Sequence, residues 1–324
     1  MNNSELVLIL TSILLQASPL IIAVIGETIT ERSGVVNLSL DGSMLMAAMT
    51  GFVVALRADN VWAGFLAGAL VGAFFASIVA FGSIRLHQSQ VAIGFVLALL
   101  GDDLASFLGQ NFTRQPGPVL ANLPIPVLKD IPFLGPILFD QNLVVYFAMV
   151  LVVVVWLLFY RTKHGLHLRG SGERPAAAFA RGINVNRTRY LYTIVGGALV
   201  GIAGASYSLN VKIGWSDGHI RGFGWIALAI VIFGGWSPIR GAIGALLFGA
   251  TKAMATVLQR TFPEVSVVAF NAIPWLLMIL VLLMVSSDAT DRFIAAMPKR
   301  FQRPLRGFLR VSPPLALGTE FKKR

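Results

Sequence analysis

Two aspartates, Asp102 and Asp103, stand inside an otherwise apolar run from Gln90 to Gly109. Ionisable groups at membrane depth are costly and mark ion pathways, relays or substrate sites. Three chemistries fit such a pair. An ion-coupled carrier would use one carboxylate as its proton or cation site. An intramembrane aspartyl hydrolase would need two carboxylates facing each other across a gap. Neighbours on one helix point about 100° apart, so the second would come from elsewhere, with Asp41 as the candidate. The third reading, which the residues favour, is a polar lining or helix break beside a substrate cavity. An aspartate-rich diphosphate site would repeat at position 106, where Ser106 stands.

A second polar set lies at Gly26 to Met49, where Glu27, Glu31, Arg32, Asn37 and Asp41 occur among Val, Leu and Met. The stretch is too polar for a simple span and too apolar for a free loop. With Gly34 and Gly42 to permit a break, residues 26–42 read as a bent or re-entrant segment leading into a helix that ends near Leu56. Such backbone is tolerated only where protein or a water-filled cavity covers it. Glu31, Asn37, Asp41, Asp102 and Asp103 are therefore candidates for a substrate path or gate. Trp225 and Trp275 join them, as deep aromatics able to stack on a nucleobase or a sugar face, or simply to pack.

The third set is the basic stretch from Tyr160 to Arg189, in which seven of thirty residues are Lys or Arg. Gly172-Glu173-Arg174-Pro175 reads as a helix start, since Glu suits the positive end of the dipole and Pro the first turn. Residues 176–180 are good helix formers, and Gly182 is a natural stop. A short capped helix outside the membrane reads either as a docking surface for another protein or as a solvated connector.

Other chemistry is missing from the sequence. No G-x-x-x-x-G-K-[ST] occurs, so ATP phosphates cannot be cradled in the P-loop manner. The four histidines, at 87, 164, 167 and 219, lack metal-ligand spacing. There is no cysteine, which excludes disulfides and leaves the compartment undecided.

The elements that must position these groups are apolar spans. Hydrophobic residues make up 56% of the 324 and charged ones 13%, against roughly a quarter charged in soluble proteins. Several apolar runs reach the ~18 residues that cross a bilayer. The expected fold is all-α and polytopic, with nine spans and an external N-terminus, or ten and an internal one if residues 26–40 cross fully. No cleavable signal is expected, because MNNSEL has no basic n-region. The net charge of +11 does not point to nucleic acid, because 16 of the 26 Lys and Arg lie in the 160–189 loop or the tail after Asp288. Short basic loops stay inside, so loop and tail are expected in the cytoplasm. The loop at 111–141, with six prolines and two basic residues, is expected outside. Residues 1–287 read as one transmembrane domain and 288–324 as a basic tail.

The pattern Gly172-Glu173-x-Pro175-x-Ala177-Ala178-x-x-x-Gly182-Ile183-x-Val185 resembles the coupling segment of permease subunits from bacterial ABC importers of the branched-chain amino acid, simple-sugar and nucleoside family. Gly26-Glu27, Glu31-Arg32-x-Gly34-x-x-Asn37 and Asp41-Gly42-x-Met44 resemble a second motif of the family, in its nucleoside branch, with Ser39 and Asp41 where Gly and Glu are usual. Gly222 to Pro238 resembles the closing hairpin of the same branch; the Asp102-Asp103 pair is a departure. Together these motifs cover the chain apart from the outer loop and tail.

The resemblance implies that Gly172, Glu173, Pro175, Ala177, Ala178, Gly182 and Ile183 seat against a separate ABC ATPase subunit, which binds ATP and Mg. This chain would hold no cofactor. It implies a second permease chain, the same or paralogous, an extracytoplasmic substrate-binding protein, alternating access, and a place in a bacterial inner membrane. The implied cargo is a nucleoside; a simple sugar is the alternative within the class, and the ion-coupled carrier the alternative outside it.

Overall fold

The computed structural model describes residues 3–286, 298 and 312–321. Most of the expected tail, 288–324, lies outside them. Eleven α-helices occur among the described residues and no strand; extended backbone is limited to isolated bridges. Seven helices are long and apolar enough to cross a membrane. The shorter apolar helix α9 (Phe223–Phe233) and the last helix, α11 (Val267–Ser286), complete the nine apolar segments expected.

Helix α1 (Asn3–Arg32) is the axis of the bundle. Ala17 and Leu20 to Ile25 are almost wholly buried. Around it pack α5 (Leu143–Arg161), α8 (Val185–Ser206), α9 and α10 (Pro238–Thr261). Pro19 lies within α1. Helices α2 (Leu40–Ala58), α3 (Val61–Ala80) and α4 (Gln90–Gly109) form the other flank. Each α-helix satisfies its own backbone groups, which a hydrocarbon environment requires.

Small residues set how close these helices come. Gly72 of α3 lies so near α8 that a Cβ there would sit 2.1 Å from the Gly197 carbonyl oxygen. Apolar area gives no drive to associate within lipid, so close backbone contact supplies dispersion in its place. The outer faces of α4 and α5 carry exposed Leu99, Phe107, Val150 and Val153, the side that lipid would cover.

The expected break in residues 26–42 is present but shorter. Helix α1 runs through Gly26 to Arg32; only residues 33–39 are non-helical, with Gly34 at φ 103°. Gly26 is a packing residue and not a helix end, since a Cβ there would be 2.6 Å from the Gly196 carbonyl. The polar set is thereby divided: Glu27, Glu31 and Arg32 in the last turns of α1, Asn37 in the break, Asp41 in the first turn of α2. No second crossing exists within 26–40.

Between α4 and α5 the proline-rich loop follows an ordered, non-helical path for much of its length. Leu123 N–H donates to the Gln141 carbonyl and Ile125 N–H to that of Phe139. The Gln141 side chain donates to the carbonyls of Pro136 and Ile137. At the opposite, basic end lie α6 (Lys163–Glu173) and α7 (Pro175–Ala180).

Candidate functional site

The polar residues gather in two places: the basic end, and mid-depth around the start of α9.

At the basic end, Arg174 caps α7 with extended backbone, and Pro175 opens the helix, where its missing N–H costs nothing. Gly182 closes it at φ 83°, with Gly182 N–H to the Phe179 carbonyl and Ile183 N–H to that of Ala178. One expectation is corrected. Glu173 does not lie in the first turn of α7; it is the last residue of α6, a helix the sequence reading did not foresee. Its carboxylate accepts instead from Arg32 Nη1 at 3.2 Å and from the Leu315 N–H at 3.2 Å. The short helix also has a base to rest on: Leu168, Ser171, Gly172 and Ala178 are buried, while Ala177, Phe179 and Ala180 face outward. Gly172 is held so close to the end of α1 that a Cβ would be 2.2 Å from the Arg32 carbonyl oxygen.

From Glu173 a chain of polar contacts leads inward. Arg32 Nε donates to the Trp236 carbonyl at 3.0 Å. Trp236 Nε1 donates to Glu31 Oε2. One turn earlier on α1, buried Glu27 accepts from the Asn37 N–H at 3.3 Å. Asn37 Oδ1 in turn accepts from Ser39 N and Oγ, at 3.2 and 2.6 Å. The hydroxyl of Ser39, where the motif has glycine, is thus part of the break and does not disturb it.

Helix α9 connects the two places. Its last turn leads to Trp236, beside Arg32; its N-terminus meets α2. Eleven residues at 1.5 Å each make ~16 Å, about half the ~30 Å hydrocarbon core. The start of α9 therefore lies near mid-depth, as does Asp102, twelve residues into α4.

There Asp41 is buried and accepts from the N–H groups of Gly222 (2.8 and 3.1 Å) and Gly224 (2.9 Å). A carboxylate suits this position because the first N–H groups of a helix have no partner within it. Gly224 is required by the close approach, since a Cβ would be 2.3 Å from the Asp41 backbone nitrogen. Asp102 pairs with Arg221 through both oxygens, from Nε at 2.8 and 3.1 Å and Nη2 at 2.8 Å. Asp217 stands 3.7 Å from Arg221 and accepts from Ser106 Oγ. Trp275 lies against Gly222, and the Trp225 ring is tilted against that of Phe95, with centroids 6.4 Å apart.

The structure therefore brings together Asp41, Asp102, Trp225 and Trp275. Glu31 and Asn37 belong to the other end of α9. Asp103 is exposed on a neighbouring face of α4, with no hydrogen bond among the described residues. Asp41 and Asp102 do not form a pair for acid–base work: Asp41 is held by backbone donors and Asp102 by Arg221. No cluster of three or more metal-ligating side chains occurs among the described residues. The residue that sequence reading missed is Arg221. A lone arginine directly before Gly222 and an apolar run was the only signal, and loop ends often carry such a residue.

A bundle of this kind, with a short helix on its basic end, is the architecture of a membrane permease. The family model for the permease component of branched-chain amino acid transport systems matches residues 9–285. The nucleoside ABC transporter permease NupC of Lactococcus lactis is 36% identical over 266 residues, 78% of this chain and 84% of NupC. The guanosine ABC transporter permease NupQ of Bacillus subtilis is 33% identical over 293 residues, 85% and 91% of the two chains. TsgC13 of Haloferax volcanii, an ABC permease provisionally named for glucose, is 38% identical over 242 residues, 74% of each chain. The chain belongs to the branched-chain amino acid permease family and is a membrane-spanning component of an ABC transport system.

Proposed function

We propose that this chain is the permease subunit of an ABC importer for nucleosides, driven by ATP and Mg on a separate subunit. One observation supports the coupling role above others. Helix α7 follows directly on Glu173, which is joined to the core through Arg32, Trp236 and Glu31, so force on the outward face of α7, at Ala177, Phe179 and Ala180, reaches the C-terminal ends of α1 and α9. In this reading Pro175, Gly182 and Ile183 shape α7, while Gly172 and Ala178 seat it. The basic end and the C-terminus face the cytoplasm. The proline-rich loop, with exposed Val119, Val127 and Phe133, receives the substrate-binding protein outside. A second permease chain completes the path.

Discontinuous helices that start at mid-depth are how many transporters bring polar groups to a substrate. Here Asp41 fixes the start of α9, and Arg221 with Asp102 gives the path a hydrogen-bonding wall beside Trp225. A nucleoside offers the matching chemistry: hydroxyls for the charged pair and a flat base for an aromatic.

Reconstitution into liposomes with the ATPase and binding protein tests this. ATP-dependent uptake of labelled guanosine, competed by other nucleosides and not by ribose or glucose, is expected. Competition by glucose alone would transfer the assignment to sugars, the reading that TsgC13 favours. Uptake driven by a proton gradient without ATP would support the ion-coupled carrier. That carrier would have to rely on Asp103, since Asp102 is held by Arg221.

A further inference from the structure

The segment at residues 312–321, SPPLALGTEF, differs from the rest of the tail. All nine Lys and Arg after residue 287 lie outside it. This stretch has two prolines, two leucines and a phenylalanine. It is laid across the basic end as a tight turn, with Leu317 N–H to the Pro314 carbonyl, Thr319 N–H to that of Ala316, and Gly318 at φ 73°. Pro314 and Ala316 are buried, and Leu317 packs against the main core.

Its contacts divide between two elements. On one side it holds the coupling segment: Ala316 N–H donates to the Gly172 carbonyl at 2.8 Å, and Leu315 N–H to Glu173 Oε2 at 3.2 Å. The Phe321 ring lies 5.6 Å from that of Phe179 on α7. On the other side Gly318 N–H donates to the carbonyl of Gly34, in the break between α1 and α2, at 3.1 Å. Arg189 of α8 lies beneath, its side chain buried. It donates to the carbonyls of Thr319 at 2.6 Å, Ser171 at 3.1 Å and Ala316 at 3.4 Å. One guanidinium thus fastens strap and coupling segment together. Gly34 in turn is seven residues from Asp41, which holds the start of α9.

We propose that residues 312–321 are a transmission strap: they link the coupling segment to the α1–α2 break, so that displacement of α6 and α7 moves the start of α2 at the substrate path. The proposal rests on the importer reading. Its role is distinct from attaching the ATPase: its hydrogen bonds go to Gly172, Glu173 and Gly34, none of them in α7, and it meets the outward face through Phe321 beside Phe179.

The test compares the full chain with one ending at Val311, each assembled with its ATPase and binding protein in liposomes. A second variant, Ala316→Pro, keeps the length and removes the N–H that reaches Gly172. In both, recovery of assembled complex and basal ATP hydrolysis should stay within about twofold of the full chain. Uptake per complex should fall by about 10-fold or more, a usual size for a lost coupling between sites. Stimulation of ATP hydrolysis by loaded binding protein should be lost with it. Unchanged uptake per complex in both variants overturns the proposal. So does uptake that falls only in step with recovered complex, since the segment would then be a plug for the fold. If the truncated chain is not recovered, Ala316→Pro decides alone. Failure of the importer reading would show in the full chain, as absence of ATP-dependent uptake, before either variant is measured.

Discussion

Arg189 and Arg221 are both held by oxygen acceptors, in opposite ways. Arg189, at the basic end, is 2% exposed and bonds three backbone carbonyls. Arg221, at mid-depth, has a side chain 51% exposed and bonds one carboxylate. The first fastens three segments of chain to each other and has no room to exchange partners. The second has donors within reach of anything that enters beside it. Buried hydrogen-bonded charge fixes a geometry; half-exposed paired charge remains available. That contrast fits the proposed roles, a basic end that carries force and a mid-depth cluster that meets a ligand.

The comparison fails if both sites respond alike to substitution. Arg189→Ala should have the largest effect. It leaves carbonyls without donors in a buried place, at a cost of about 3 kcal/mol or more from hydrogen bonds to a charged group. Thermal unfolding in detergent should show a marked fall, and uptake per complex should fall as well, because strap and coupling segment lose their shared anchor. Asp41→Ala comes next. It strips the α9 N-terminus of its buried acceptor, at about 1–3 kcal/mol, and should lower both the unfolding temperature and uptake per complex. Within the mid-depth cluster Asp41 is the structural member, so an effect on uptake alone would break the division.

Trp236→Phe keeps an aromatic side chain but makes it smaller and deletes the N–H to Glu31. A loss of about 1–2 kcal/mol in stability is expected, with reduced stimulation of ATP hydrolysis by loaded binding protein. Arg221→Gln should lower stability less than Arg189→Ala, since its half-exposed side chain bonds one carboxylate and not three carbonyls. It should instead raise the substrate concentration needed for half-maximal uptake, with Asp102→Asn giving the same change. A drop in unfolding temperature equal to that of Arg189→Ala would overturn the assignment of Arg221 to the path.

Much of this arrangement was legible before the structure. The span of α4 and its aspartates follow from a local apolar run with two charges in it. Pro175 and Gly182 mark the ends of α7 because each acts on its own φ and hydrogen bonds. Glu173 was read as an N-terminal residue of α7 and is instead the last residue of α6. Helix α6 is half polar, with a mean composition that signals a loop; it is helical because Leu168 and Ser171 find burial against the bundle. The break at 33–39 was anticipated but drawn too wide, since Gly26 reads locally as a helix end and serves instead as the contact point for α8.

The sequence by itself determined the class of the molecule, the number of its apolar segments and the position of the short helix α7. Hydropathy is a sum over adjacent residues, and turn and cap preferences act within a few residues, so both are written locally. Only the tertiary structure decided which charges meet. Arg221 reaches Asp102 across 119 residues, Gly222 reaches Asp41 across 181, and Arg189 reaches Thr319 across 130. Such pairs depend on helix packing at glycine contacts and on where a tail comes to rest. Those are properties of the assembled bundle, which no local pattern of residues encodes.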